Sequence, residues 1–176
     1  MTRQGGAPAS SVQKLVREFG LCPHPEGGYY RETYRAVGLV QTPRGPRNAS
    51  TAIYYLLDGY AHSAWHRIAS DEAWHFYAGS PLDVHVLDGR GGVTTHRLGD
   101  PLVSPGAVYQ TVVPAGSWFG AELAPDDGAA AERYALVGCT VAPGFEFSEF
   151  ELAQADELLR DYPGHAALIR RLAPTP

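Results

Sequence analysis

The stretch from His62 to Gly79, HSAWHRIASDEAWHFYAG, constrains this chain more than any other. It reads as one strand, a polar turn at Ala69-Ser70-Asp71, and a second strand that stops at Gly79. Side chains alternate between the two faces of an extended strand. Glu72, Trp74 and Phe76 therefore share a face, and so do His62, Ala64, His66 and Ile68. If both sets face inward, an imidazole and a carboxylate converge in an aromatic cavity. Such a pair is expensive to bury unless it binds a metal or moves protons.

The rest of the chain repeats the β pattern. Short apolar runs follow at Tyr29–Thr33, Thr51–Leu57, Leu82–Leu87, Val93–Leu98, Tyr109–Val113, Trp118–Leu123, Tyr134–Val141 and Glu146–Leu152. Turn signals separate them, among them Asp58-Gly59, Asp88-Gly89-Arg90-Gly91-Gly92 and Pro125-Asp126-Asp127-Gly128. Many short antiparallel strands in 176 residues indicate an all-β sandwich or jelly roll in a single domain, 1–176. The barrel is expected over about 22–152, and Gly38 to Arg47 reads as a loop bordering the cavity mouth. A short helix precedes the barrel: Ser10 and Gln13 form a capping box, Val12, Leu15, Val16 and Phe19 share a face, and Gly20 ends it. A helical tail closes the chain over about 153–172, and residues 1–9, rich in Gly, Ala and Pro, are expected to be disordered.

The net charge of −5 argues against nucleic acid or an anionic membrane surface as partner, and no apolar run approaches a membrane span. The first residues lack the apolar core of a signal peptide, so a cytoplasmic location is expected. Two cysteines, Cys22 and Cys139, do not suggest a disulfide framework, and Cys139 in its apolar run reads as a packed, inert thiol. No Gly-rich phosphate loop, Gly-x-Ser-x-Gly elbow or Cys-x-x-Cys pair is present, which sets aside a nucleotide cofactor and serine hydrolysis.

His66-x-Ile68-x3-Glu72-x6-Gly79 resembles the first sequence motif of the cupins, and Pro114-Ala115-Gly116-Ser117-Trp118-Phe119 is similar to the second. With His24-Pro25-Glu26-Gly27-Gly28-Tyr29-Tyr30-Arg31-Glu32 and Val141-Ala142-Pro143-Gly144-Phe145, they resemble a small-cupin branch long catalogued as a domain of unknown function. The resemblance implies a jelly roll of the double-stranded β-helix type with short N-terminal and C-terminal helices. It also implies a homodimer formed through exchanged N-terminal strands. Two positions depart from the pattern: Ile68 and Phe119 stand where metal-binding cupins place histidines.

His66 and Glu72 are the leading candidates, either as metal ligands or as a base with its carboxylate partner. A metal needs further donors, for which Gln110 and His62 are the candidates. His62 lies roughly 13 Å from His66 along a strand, at about 3.3 Å per residue. Mixed nitrogen and oxygen ligation would suit one divalent ion, zinc first, with iron, nickel or manganese as alternatives. His75 falls on the face opposite Glu72 and reads as structural. Trp74, Phe76 and Phe119 would hold an apolar or aryl substrate group, Arg31 could clamp a carboxylate, and Tyr54 lies on a nearby early strand. By similarity to metal-free epimerase cupins, Tyr134 would be a proton donor facing His66.

The resemblance to small epimerase cupins implies inversion of a carbon next to a carbonyl in a small-molecule substrate, a 2-oxo acid or a keto-sugar. That chemistry requires a stabilised enolate. A metal-dependent dioxygenase and a non-catalytic ligand-binding pocket are the alternatives.

Overall fold

The computed structural model describes residues 10–59, 61–125 and 132–174. The expected disorder of residues 1–9 and most of the turn signal at 125–128 lie outside the described residues. The chain opens with α1 (Ser11–Phe19), then β1 (Cys22–Pro23), β2 (Tyr29–Arg35), β3 (Leu39–Thr42), β4 (Gly45–Asn48) and β5 (Thr51–Asp58). β6 (His62–Arg67), β7 (Asp71–Gly79), β8 (Leu82–Leu87) and β9 (Val93–Leu98) follow. β10 (Gln110–Val113), β11 (Phe119–Leu123), β12 (Tyr134–Ala142) and β13 (Glu151–Leu152) complete the sheets. α2 (Ala155–Asp161) and α3 (Ala166–Arg171) end the chain.

Two antiparallel sheets face each other, one in the order β1-β2-β5-β12-β7-β10 and the other β13-β6-β11-β8-β9. Long crossovers between sequence-distant strands give the jelly roll that the spacing of short strands predicts. The segment expected as a loop at Gly38 to Arg47 instead holds the two-stranded hairpin β3-β4. The expected strand at Glu146–Leu152 survives only as the two residues of β13, because a 3-10 turn takes Phe147–Glu149.

Strand alternation decides which side chains meet. Tyr55 and Leu57 on β5, Trp74 on β7, Val84 and Val86 on β8, Phe119 on β11 and Val137 on β12 fill the space between the sheets. The opposite face of the first sheet also buries apolar residues: Leu56 and Leu136 pack with Leu21 beneath α1. The capping box holds α1 in place, with Ser10 Oγ accepting from the Gln13 amide at 3.1 Å and Gln13 Oε1 accepting from the Ser10 amide at 3.3 Å. Gly20 closes the helix at φ 59.

The second sheet is covered by α2 and α3, whose Leu158, Ile169 and Leu172 pack on Trp65 and Leu87. Each such buried aliphatic contributes about 1.5–3 kcal/mol of apolar transfer. Arg171 on α3 adds a bidentate grip on Glu122 of β11, which His85 of β8 also meets at 3.2 Å. Burial would raise the Glu122 carboxyl, but hydrogen bonds from His85 and Arg171 outweigh it and hold it at about 2. No helix among the described residues is long and apolar enough to cross a membrane.

Candidate active site

The cavity between the sheets opens at the β2 end and encloses about 240 Å³. Its inner wall carries His24, Glu26, His66, Glu72 and Cys139, and its outer part carries Tyr30, Phe145, Phe147 and Phe150.

His66 sits on β6, 2% exposed, with its ring centroid 4.0 Å from that of Phe119 and 5.4 Å from that of Phe150. Its Nδ1 lies 2.8 Å from the carbonyl oxygen of Ala64. A carbonyl can only accept, so Nδ1 carries hydrogen and donates. Nε2 then faces the Oε2 of Glu26 at 3.1 Å. Two bare acceptors would repel at that distance, so one proton lies between imidazole and carboxyl. The Glu26–His66 pair is therefore a proton-sharing couple buried beneath rings.

A tight turn delivers Glu26. Gly27 has φ 112 and Gly28 φ 67, both in the left-handed region. A Cβ on Gly27 would collide with the His62 carbonyl, so only glycine lets the turn lie this close to β6. The turn is closed by the Gly27 amide donating to the His24 carbonyl at 3.0 Å and the Ala64 amide donating to the Glu26 carbonyl at 2.8 Å. Buried Ser63 then donates its hydroxyl to Glu26 Oε1 at 2.8 Å, and Tyr55 donates to the Gly27 carbonyl at 2.9 Å. These bonds leave Oε2 aimed at His66.

His24 approaches the same Oε2 at 3.5 Å, but this contact is no ion pair. Its Nδ1 accepts the Glu26 amide at 3.3 Å. Burial lowers the pKa of the ring, as does His66, against an upward pull from Glu26. His24 thus serves as a neutral acceptor.

Glu72 lines the same cavity from β7, with no cation beside it among the described residues. Burial, then the charge of Glu26, pushes its carboxyl up to about 8, against a smaller downward pull from the Cys139 thiol. Glu72 therefore carries its proton at neutral pH. The Cys139 thiol is raised well above its ordinary value by burial and by Glu72 and Glu26, which keeps it an inert thiol.

The sequence expectations separate on this geometry. His66 and Glu72 line one cavity, but the carboxylate that meets His66 is Glu26. Trp74 is buried among Tyr55 and Phe119 rather than at the cavity surface, and Phe76 packs against the same core. Phe119 packs against His66 from the core side and, like Trp74, is not at the cavity surface. Tyr54 and Tyr134 point to the outer side of the first sheet, in the cluster under α1, so Tyr134 does not face His66. The Arg31 guanidinium donates to the Phe19 carbonyl at 2.8 Å, at the end of α1. Gln110 and Val112 do share a face of β10, but it is the solvent face. His62 Nε2 bonds the Ala173 carbonyl at 3.2 Å, away from the cavity. His75 bonds Thr140 Oγ1 at 3.1 Å, in a structural place.

Among the described residues, no three His, Cys, Asp or Glu side chains converge as a metal ion would require. The best donors are already engaged with each other, and the Phe119 ring packs against the imidazole of His66. The set does not fit a conventional metal centre.

A jelly roll with a buried acid–base cavity between its sheets defines a cupin-like protein. Residues 13–153 match the Cupin superfamily (DUF985), and the chain belongs to that family. A hypothetical protein from Leishmania major is 34% identical with a TM-score of 0.85, over 94% of this chain and 100% of that one. A Shewanella oneidensis protein is 35% identical with a TM-score of 0.82, over 94% and 98%. An uncharacterized Saccharomyces cerevisiae protein is 29% identical over 173 residues, 89% of this chain and 82% of that one.

Proposed function

We propose that the cavity is a proton-transfer site that isomerises or epimerises a small carbonyl compound at the carbon beside the carbonyl. The single observation that carries this reading is the Nε2 of His66 facing Glu26 while Nδ1 is committed to Ala64. The couple holds one shared proton and has room for a second, so it can accept one from carbon. Glu72, protonated in the same apolar space, supplies what the couple lacks: an acid able to hydrogen-bond a developing enolate oxygen.

The steps balance. The α C–H bond breaks, its proton passes to the Glu26–His66 couple, and its electron pair moves to the carbonyl oxygen. That oxygen accepts a hydrogen bond from Glu72. Return of the proton from the couple restores the substrate. Delivery of a proton from Glu72 to the other side of the carbon inverts it, and transfer of the couple's extra proton to Glu72 resets the site. The metal-dependent dioxygenase reading needs a ligand set with open positions, and the described donors do not assemble one.

The test is deuterium incorporation from D2O at the α carbon of a panel of aldehydes, ketones and 2-oxo acids, followed by NMR. Exchange is expected with at least one panel member, and it should fall by 100-fold or more in Glu26→Gln and His66→Gln, on the order of a lost general base. No exchange with any panel member, or exchange unchanged in both variants, overturns the reading.

A further inference from the structure

We infer that the substrate of this site is an uncharged, largely apolar carbonyl compound rather than a 2-oxo acid or a keto-sugar. The inference rests on the proton-transfer reading for the word carbonyl, and on the charges of the cavity for the rest.

A bound carboxylate needs a cation or several free donors. Two arginines border the cavity: Arg35 is fully engaged, and Arg31 leaves β2 on the face opposite Glu32, towards the end of α1. Arg35 has five N–H donors. Nε and Nη2 take both Glu32 oxygens at 2.9 and 2.8 Å, Nη1 takes Asn48 Oδ1 at 3.0 Å and Glu146 Oε1 at 2.8 Å, and Nη2 also takes the Phe145 carbonyl at 3.1 Å. Five donors meet five bonds, and none is left for a ligand. Arg31 follows Tyr30 on β2, and its side chain lies opposite Glu32, tied to Phe19.

Deeper in, Glu26 is paired with His66, and Glu72 is a neutral acid. Glu26 is satisfied by Ser63 and His66, so the imidazole has no remaining pull for a second anion. Glu72 faces the same space. Among the described residues lining the cavity, a ligand carboxylate would thus find no cation directed inward that is not already paired. A sugar fails for a different reason, since each buried hydroxyl needs a partner. Much of the wall is instead apolar, formed by Ile53, Ile68, Val141 and the rings of Tyr30, Phe147 and Phe150. At about 240 Å³ the space lies below the roughly 300–1,000 Å³ of ordinary ligand pockets, so the substrate is small.

The test uses three probes that share one benzyl group: phenylacetone, phenylpyruvate and 2-phenylethylamine. Phenylacetone and phenylpyruvate differ only by methyl in place of carboxylate. Dissociation constants of the purified full chain are measured at pH 6.5 by calorimetry or by quenching of intrinsic fluorescence. Phenylacetone is expected to bind at least about tenfold tighter than phenylpyruvate, the scale of an anion left unpaired. In Glu26→Gln, which frees His66 from its carboxylate, the gap should narrow by about tenfold or more. Phenylpyruvate binding as tightly as phenylacetone, the amine binding tightest, or no binding of phenylacetone at millimolar concentration each overturns the inference. Because binding is read without turnover, failed exchange chemistry and a failed charge preference are separate results.

Discussion

Replacing Glu72 by glutamine keeps the shape of the buried side chain and removes its titration. In the native protein the Glu72 carboxyl holds its proton up to about 8, whereas in the unfolded chain it releases it near 4.5. The folded pKa is raised, so the native state binds the extra proton, and stability falls as pH rises between those two values. At about 1.4 kcal/mol per tenfold change, the gap corresponds to on the order of 5 kcal/mol at full development. Water entry and side-chain relaxation around an ionised Glu72 would reduce the measured figure. The assay is urea denaturation of wild type and Glu72→Gln at intervals from pH 5 to 9. The two should agree within about 1 kcal/mol at pH 5, and the variant should lead by several kcal/mol at pH 8 to 9. Parallel curves across the range would refute the claim that Glu72 is buried, neutral and without a cation.

Gly27→Ala should be disproportionately costly for a surface turn, about 2–4 kcal/mol, because it combines a positive φ with a collision against the His62 carbonyl; thermal or urea denaturation measures it. It should also displace Glu26 and depress exchange activity in whatever fraction folds. Glu122→Gln should loosen α3 by about 1–3 kcal/mol at pH 7, because it leaves Arg171 and His85 without their shared carboxylate. The folded pKa of Glu122 is depressed to about 2, so this contribution is present above pH 4.5 and is lost as pH falls towards 2. Hydrogen exchange in α3 reads the effect locally. Elemental analysis of purified protein should return no stoichiometric zinc, iron, nickel or manganese, and one tightly held ion per chain would require the donor set to rearrange around it.

What the sequence made legible followed from periodicity. Glu72, Trp74 and Phe76 fall on one face of β7, as two-residue alternation requires, and the polar turn before them is where the chain reverses. Ile68 and Phe119 stand where the cupin pattern has histidines; Ile68 lines the cavity, whereas Phe119, expected against substrate, packs behind His66 in the core. Alternation gave less help on β5 and β12. Both faces of these strands bury apolar residues, inward among the core and outward beneath α1, so nothing in the pattern says that Tyr54 and Tyr134 face out. Gln110, expected as a metal donor, lies on the solvent face of β10, because periodicity does not tell which of two faces is wet on an edge strand. Glu26 escaped because it stands in a turn, where no period operates. The available signal was the Gly27-Gly28 pair beside an acidic residue, since consecutive glycines mark backbone that must approach something closely.

The proton shared by His66 and Glu26 is open to direct observation by nitrogen-15 NMR of the histidine rings. Nδ1 of His66 should carry hydrogen at neutral pH, and the Nε2 resonance should move strongly in Glu26→Gln but little in Glu72→Gln. An Nε2 resonance indifferent to Glu26, or an Nδ1 without hydrogen, would contradict the shared proton.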